Sequence, residues 1–379
     1  MAMSTSLAHV IGVARRPWAR LVLGTLVAVV LLTLVLTKIS LHRAVYSLEH
    51  VSLPLLGLAA VLAAAYVGLR AWRYRMLLGQ GSALGVVGVT AASWGAGQVL
   101  PGPGSDAAFV WLSRRDLNAS VTRGTGAALV ARLLDIVSLT VILLVSADLA
   151  GVRLGRPVRL SAIVLAVFLV LALLALFAER PRRRLLAWAE RLPLVGGLAV
   201  RAEVALAELS SWQTVAALAL ATVGARLVTA LEYLCLFLAL GAHLSLWQVW
   251  LALAVRTLLF ALPVQGVGGM GTSQIWWAGG LSLAGLPVAA ALSLGLEVQI
   301  LDLVVALPEG ALGWLTLKGR RIQRTRRGRL VAADGPQPGE LSGQRLVPPP
   351  SKVGTGSSTP SPGAGQDLIE AGSRANVRN

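Results

Sequence analysis

The chain has 379 residues, 56% of them hydrophobic and only 13% charged, with a mean hydropathy of +0.73. Soluble domains carry about 25% charged residues, so this composition excludes a soluble globular protein and describes an integral membrane protein. The net charge of +17 does not indicate a nucleic-acid partner, because the arginines crowd the flanks of apolar runs, where they orient helices and attract anionic headgroups.

In chain order, Arg15, Arg16 and Arg20 precede an apolar run over 21–37. That run exceeds the roughly 7–15 residues of a signal-peptide core, and Lys38, Ile39 and Ser40 follow it in place of a small-residue cleavage site. It reads as an uncleaved first span. A span needs roughly 17–25 mostly apolar residues, and 53–69 supplies the second. The stretch 84–112 is interrupted by "LPGPGSD" and has the length of two half-helices joined at a Pro/Gly break, a re-entrant hairpin. Spans follow at 124–147 and 160–178. Segment 179–212 mixes charges with leucines at helical spacing and reads as an interfacial cytoplasmic helix. Another span covers 213–240. The stretch 246–283 is broken by "LPVQGVGGMG" and reads as a second hairpin, and 288–315 is the last span.

The expected fold is therefore an all-α polytopic membrane protein with six spans and two re-entrant hairpins. Its membrane domain covers 1–318, and a basic, then disordered, cytoplasmic tail covers 319–379. Beyond residue 329 the Pro/Gly/Ser composition cannot bury enough apolar surface to offset its ordering entropy. With the N-terminus in the cytoplasm, 22 of the 34 Lys and Arg residues fall in the cytoplasmic segments 1–20, 70–83, 113–124, 179–212 and 318–329, and five fall outside. This positive-inside bias places both termini on the cytoplasmic side of the cell membrane. Arg153, Arg156 and Arg159 lie outside against the trend.

Read in order, the elements give span, span, hairpin, span, and then the same again in the opposite sense. That is an inverted-topology repeat with halves near 20–148 and 159–316, an arrangement that places transport sites near the bilayer midplane. Both hairpins break at Leu-Pro (Pro101 and Pro263) and continue into glycines: Gly102 and Gly104 in the first, Gly268, Gly269 and Gly271 in the second. Asp106 follows one break and Gln274 the other. The next span then carries Arg132 and Asp135, echoed by Gln299 and Asp302, each pair three residues apart on one helix face.

Ionisable groups within the bilayer cost at least ~2.5–3.5 kcal/mol, so they face a cavity or one another. The inventory is Asp106, Arg132, Asp135, Arg226, Glu232, Arg256, Glu297 and Asp302. Two readings stand side by side. In the first, Arg132 neutralises Asp135 at i,i+3 and Arg256 reaches Glu297 or Asp302, purely to hold the bundle. In the second, Asp106, Arg132, Asp135, Arg256, Gln274, Gln299 and Asp302 line a substrate cavity with the hairpin prolines and glycines. Arg226 and Glu232 read as structural. A phosphate suits a half-helix N-terminus beside arginine. No cofactor or metal is expected: the four histidines are scattered, and Cys235 is the one cysteine.

"LRAWRYRMLLG", "LPGPGSDAAFVWLSRRDLN" with "ALVARLLDIVSL", and "LPVQGVGGMGTSQ" with "LEVQILDLV" together resemble the flippase-like membrane region of lysylphosphatidylglycerol synthases, over residues 20–318. The resemblance implies movement of a charged or glycosylated lipid across the bilayer, with anionic, aminoacylated or glycosylated membrane lipids as partners. This sequence departs from the family pattern at Asp106 and Gln274, where glutamate is usual, at Ala131, where an acid precedes Arg132, and at Gln299, where arginine is common. The aminoacyl-transferase domain of the full synthases is not among these residues, so neither aminoacyl transfer nor other enzyme activity is expected. The competing expectation is a non-transporting scaffold or accessory subunit for a lipid- or glycan-modifying membrane enzyme.

Overall fold

The computed structural model describes residues 41–100, 104–152, 155–177, 212–259 and 271–333, with a few isolated positions such as Gly269. These residues are helical throughout, with no strand among them. The helices are α1 (Leu41–Glu49), α2 (Leu53–Leu78), α3 (Ala83–Val99), α4 (Gly104–Leu117), α5 (Val121–Leu149), α6 (Arg156–Phe177), α7 (Trp212–Ala239), α8 (Leu246–Leu259), α9 (Thr272–Leu283) and α10 (Val288–Ala333). The chain divides into two units, 1–326 and 327–379; in the second, the described residues are the helical ones up to Ala333.

Local sequence sets the helix boundaries. Pro54 sits in the first turn of α2, where its missing N–H costs nothing. Gly79 ends that helix at φ 60°, donating its N–H to the Arg75 carbonyl at 3.1 Å. The Ser82 and Ser120 hydroxyls cap α3 and α5, accepting from the Gly85 and Arg123 N–H groups at 3.3 and 3.2 Å. Leu100 leaves α3 in extended conformation, ψ 138°, as the residue before a proline is driven to do. Gly269 and Gly271, just ahead of α9, have φ of 69° and 79°, backbone that only glycine adopts at little cost.

Four helices, α2, α5, α7 and α10, are long and apolar enough to cross a membrane. Helix α6 occupies the span expected at 160–178, and Leu160, Val164, Phe168 and Leu171 on it are each more than half exposed. The expected first span, the interfacial segment 179–212 and the tail beyond Ala333 lie outside the described residues. Three differences from expectation have physical causes. Residues 38–52, between the first two expected spans, contain α1, whose Leu48 packs with Val51 on the core. The second span continues to Leu78 instead of stopping at residue 69, so Arg70 and Arg73 sit within the bundle and not in a cytoplasmic loop. Finally, α10 continues as helix through the basic stretch 318–329.

Each Pro/Gly break joins two antiparallel arms. A side chain at Gly97 would meet the Ser105 Cβ at 2.6 Å, and one at Gly85 would meet Leu117 at 2.9 Å, so α3 and α4 lie against each other along their length. In the second hairpin, Gln248 Nε2 donates to the Ala284 carbonyl (3.0 Å), a Cβ at Gly280 would lie 2.6 Å from Ala252 Cα, and Arg256 Nε donates to Ser273 Oγ (3.2 Å). Small residues at such contacts allow backbones to approach where lipid offers no hydrophobic drive.

The packing is reciprocal. Helix α3 lies on α10, where a Cβ on Gly95 would meet Gly310 Cα at 2.6 Å and one on Gly313 would meet the Ala92 nitrogen at 2.6 Å. Helix α8 lies on α5, where Leu251 and Val255 join Leu143 and Ala147. Between them α2 and α7 run antiparallel: Ser52 N–H donates to the Ala239 carbonyl at 3.1 Å, and Leu69 meets Gly224 near the other end. The first arm of each hairpin thus packs on the long helix that follows the other hairpin.

Candidate functional site

At the crossing of α2, α3, α4, α5, α7 and α8 lies a cavity of about 130 Å³. Four arginines (Arg70, Arg132, Arg226 and Arg256) and two aspartates (Asp106 and Asp135) line it, with Tyr66, Tyr74, Trp94 and Tyr233. Two arginine clusters border it.

The first is built on α2. Its "RAWR" spacing puts Arg70 and Arg73 on one helix face. Arg70 donates to the Tyr66 and Tyr74 hydroxyls at 3.2 Å each and to Ser105 Oγ at 3.5 Å, and it stands 3.9 Å from Asp106. Its guanidinium also lies over the Tyr74 and Trp94 rings, 5.5 and 5.4 Å from their centroids, where the ring quadrupole attracts a cation. Arg73 donates to Asp135 Oδ1 at 2.7 Å and to the Ala131 carbonyl at 3.2 Å. Arg226 reaches the same Asp135 oxygen from α7. Asp135 therefore ties α2, α5 and α7 together through two buried guanidinium groups.

The second cluster is built on α8. Arg256 donates to Ser273 Oγ and to the Tyr233 hydroxyl, both at 3.2 Å, and lies 3.9 Å from Asp302. The Tyr233 hydroxyl in turn donates to Asp302 Oδ2 at 2.9 Å. Arg256 also covers the Trp277 ring at 5.1 Å. Each cluster thus combines arginine, at least one tyrosine hydroxyl, a hairpin serine and an aspartate.

Of the residues singled out in the sequence, Asp106, Arg132, Asp135 and Arg256 line the cavity. Gly104 is buried at the first turn of α4, next to Ser105 and Asp106. Asp302 stands behind Arg256 and Tyr233. Gln274 and Gln299 are buried, at 1% and 6% exposure, and do not line the cavity. The Gln274 backbone packs against Gly295 of α10, because α9 turns that edge to the long helix. Gly269 and Gly271 shape the entry to α9 and are also buried away from the cavity. Pro101, Gly102, Pro263 and Gly268 lie outside the described residues.

One expectation is corrected. Arg132 does not neutralise Asp135: Arg73 and Arg226 occupy that carboxylate, and half-buried Arg132 has no hydrogen-bond or ion-pair partner among the described residues. Arg226, read as structural, borders the cavity and holds Asp135 there. Arg70 and the tyrosines were missed because α2 outlasts its purely apolar stretch. The signal was present in the 3,4-spacing of Tyr66, Arg70, Arg73 and Tyr74.

With this geometry in place, comparison with known proteins adds one match. Residues 21–309 match the family described as the lysylphosphatidylglycerol synthase TM region. The chain belongs to that family. Both arginine clusters, both hairpins and the cavity fall within the matched part of this lysylphosphatidylglycerol synthase TM region. No curated protein and no solved structure matches the chain.

Proposed function

We propose that this membrane protein is a lipid translocase of the cytoplasmic membrane, passing the headgroup of an anionic or otherwise charged lipid through the central cavity. The observation that carries the reading is the charge imbalance there: four arginines face two aspartates, and Arg132 presents its donors to the cavity without a partner among the described residues. A buried cation without a counter-charge is expensive, and a phosphate oxygen is the partner whose geometry suits several guanidinium groups. The tyrosine hydroxyls and hairpin Ser105 add neutral donors and acceptors for the rest of a headgroup.

The two hairpins supply the route. On this reading each is re-entrant, the chain is an inverted repeat with six spans, and both termini are cytoplasmic. The reciprocal packing of α3 on α10 and of α8 on α5 supports that symmetry. Rocking one hairpin against the long helix of the other half would open the cavity alternately to the two leaflets. The lipid is moved without chemical conversion, so no catalytic residue is assigned.

Reconstituted vesicles containing headgroup-labelled phospholipids test the proposal. Protein-containing vesicles are expected to expose inner-leaflet anionic lipid to an external quencher far faster than protein-free vesicles. Equal rates across anionic, zwitterionic and aminoacylated lipids, all matching empty vesicles, would overturn it.

A further inference from the structure

Beyond the cavity, on the far side of Arg256, lies a group of acids whose charges the structure leaves unbalanced. Glu232 on α7 is 3% exposed and has no hydrogen-bond or ion-pair partner among the described residues. It lies within electrostatic reach of Asp302, Glu309 and Arg256. Asp302 accepts from the Tyr233 hydroxyl on Oδ2, while its Oδ1 is fully buried and accepts from none of the described residues. Glu309 stands seven residues further along α10, two turns away on the same face. Both of its carboxylate oxygens are buried and accept no hydrogen bond from the described residues.

Glu309 also lines a groove of about 590 Å³ between α2 and α10, whose other walls are apolar, among them Leu56, Ala60, Val61, Val304 and Leu312. No basic residue lines this groove among the described residues. Among the described residues, the remaining charged or titratable groups facing the acids are Tyr233 and Cys235 on α7 and Arg256 on α8. Helices α3 and α9 carry none in their sequences. Glu297, earlier on α10, is engaged by the Ser293 hydroxyl at 2.6 Å. Among the described residues, three carboxylates thus share one guanidinium, with the Tyr233 hydroxyl as the one donor the structure gives them. An unpaired ionised carboxylate in such surroundings costs far more than the same group carrying a proton.

We infer that Glu232, Asp302 and Glu309 form a proton-binding site linked to the central cavity through Tyr233 and Arg256. This rests on the translocase reading only for its consequence, proton-coupled lipid movement. When Asp302 is ionised it holds Arg256 by charge and through Tyr233. When the cluster takes up a proton, that hold weakens and Arg256 is released toward the cavity, where it meets an anionic headgroup. Proton and anion therefore favour each other's binding, and both leave together when the site opens to the other side. The carboxylate gains a proton from water on one side and returns it to water on the other; nothing else is consumed.

Two measurements on the full chain in lipid vesicles test this. In the first, a pH gradient of about one unit is imposed and the steady-state distribution of a fluorescent anionic phospholipid is read. One proton per lipid gives an asymmetry of about tenfold. Glu309→Gln is expected to abolish the asymmetry, and a sodium gradient is expected to produce none. Symmetric distribution in the wild type while lipid still equilibrates, asymmetry that survives in Glu309→Gln, or a response to sodium in place of protons would each overturn the inference while leaving translocation intact. The second is infrared difference spectroscopy at neutral pH, which reads the protonated-carboxyl stretch without requiring transport. The wild type is expected to show a band that shrinks in Glu309→Gln and in Glu232→Gln. Absence of any such difference would contradict the site. A clear band with no lipid movement would support the site and remove the translocase reading.

Discussion

Asp135 is the residue on which most of the buried charge depends. It faces Arg73 and Arg226, whose side chains are 3% and 6% exposed. Asp135→Asn leaves two guanidinium groups buried without a counter-charge, and removing one partner of a buried pair costs about 3–5 kcal/mol. A thermal unfolding series in detergent is expected to show a loss of that size. The same measurement on Asp148→Asn supplies the contrast: its pair with Arg159 is short, 2.9 Å, but both side chains are 54% exposed, so the loss stays within about 1 kcal/mol. Arg132→Gln removes a cation that no described residue balances, so the melting temperature is expected to hold or rise. These assignments were only partly legible in the sequence. The presence of Arg132, Asp135, Arg256 and Asp302 inside apolar runs could be read directly. Their pairing could not, because the partners of Asp135 arrive from α2 and α7, 62 and 91 residues away in sequence.

At the scale of elements, the Pro/Gly interruptions were the most readable feature, since a proline fixes the break and the residue before it. What the sequence did not show is which helix each hairpin arm meets. That is decided by small residues whose value depends on their opposite number: Gly95 against Gly310, and Gly313 against Ala92. Gly310→Ala or Gly313→Ala places a methyl group against backbone that cannot move aside, and a loss of about 1–3 kcal/mol is expected in the same unfolding series. Gly68, with nothing within 4 Å of a built Cβ, is the control: Gly68→Ala within α2 is expected to be neutral or stabilising by up to about 1 kcal/mol. A comparable loss at Gly68 would show that helix propensity, and not the α3–α10 contact, governs the result. The end of α2 was the element misjudged. Hydropathy falls at Arg70, whereas the helix continues because tyrosines and carboxylates inside the bundle satisfy its arginines.

At the scale of the molecule, the membrane class followed from composition, its helical architecture from apolar runs of span length, and the family from motifs spread across both halves. The orientation rests on the arginine bias. In a Cys235→Ser background, a cysteine at exposed Arg114 is expected to react with an impermeant thiol reagent only from the cytoplasmic side, and one at exposed His243 only from outside. Labelling from the same side would contradict the inverted arrangement of the hairpins. The central claim is that a lipid headgroup crosses through the arginine-lined cavity, and the most direct test is the rate of anionic-lipid movement in vesicles for the wild type against Arg132→Gln. A variant with unchanged melting temperature and a rate lowered about tenfold or more, the worth of roughly one charge-assisted hydrogen bond, is the expected result. An Arg132→Gln protein that moves the lipid as fast as the wild type would contradict the account.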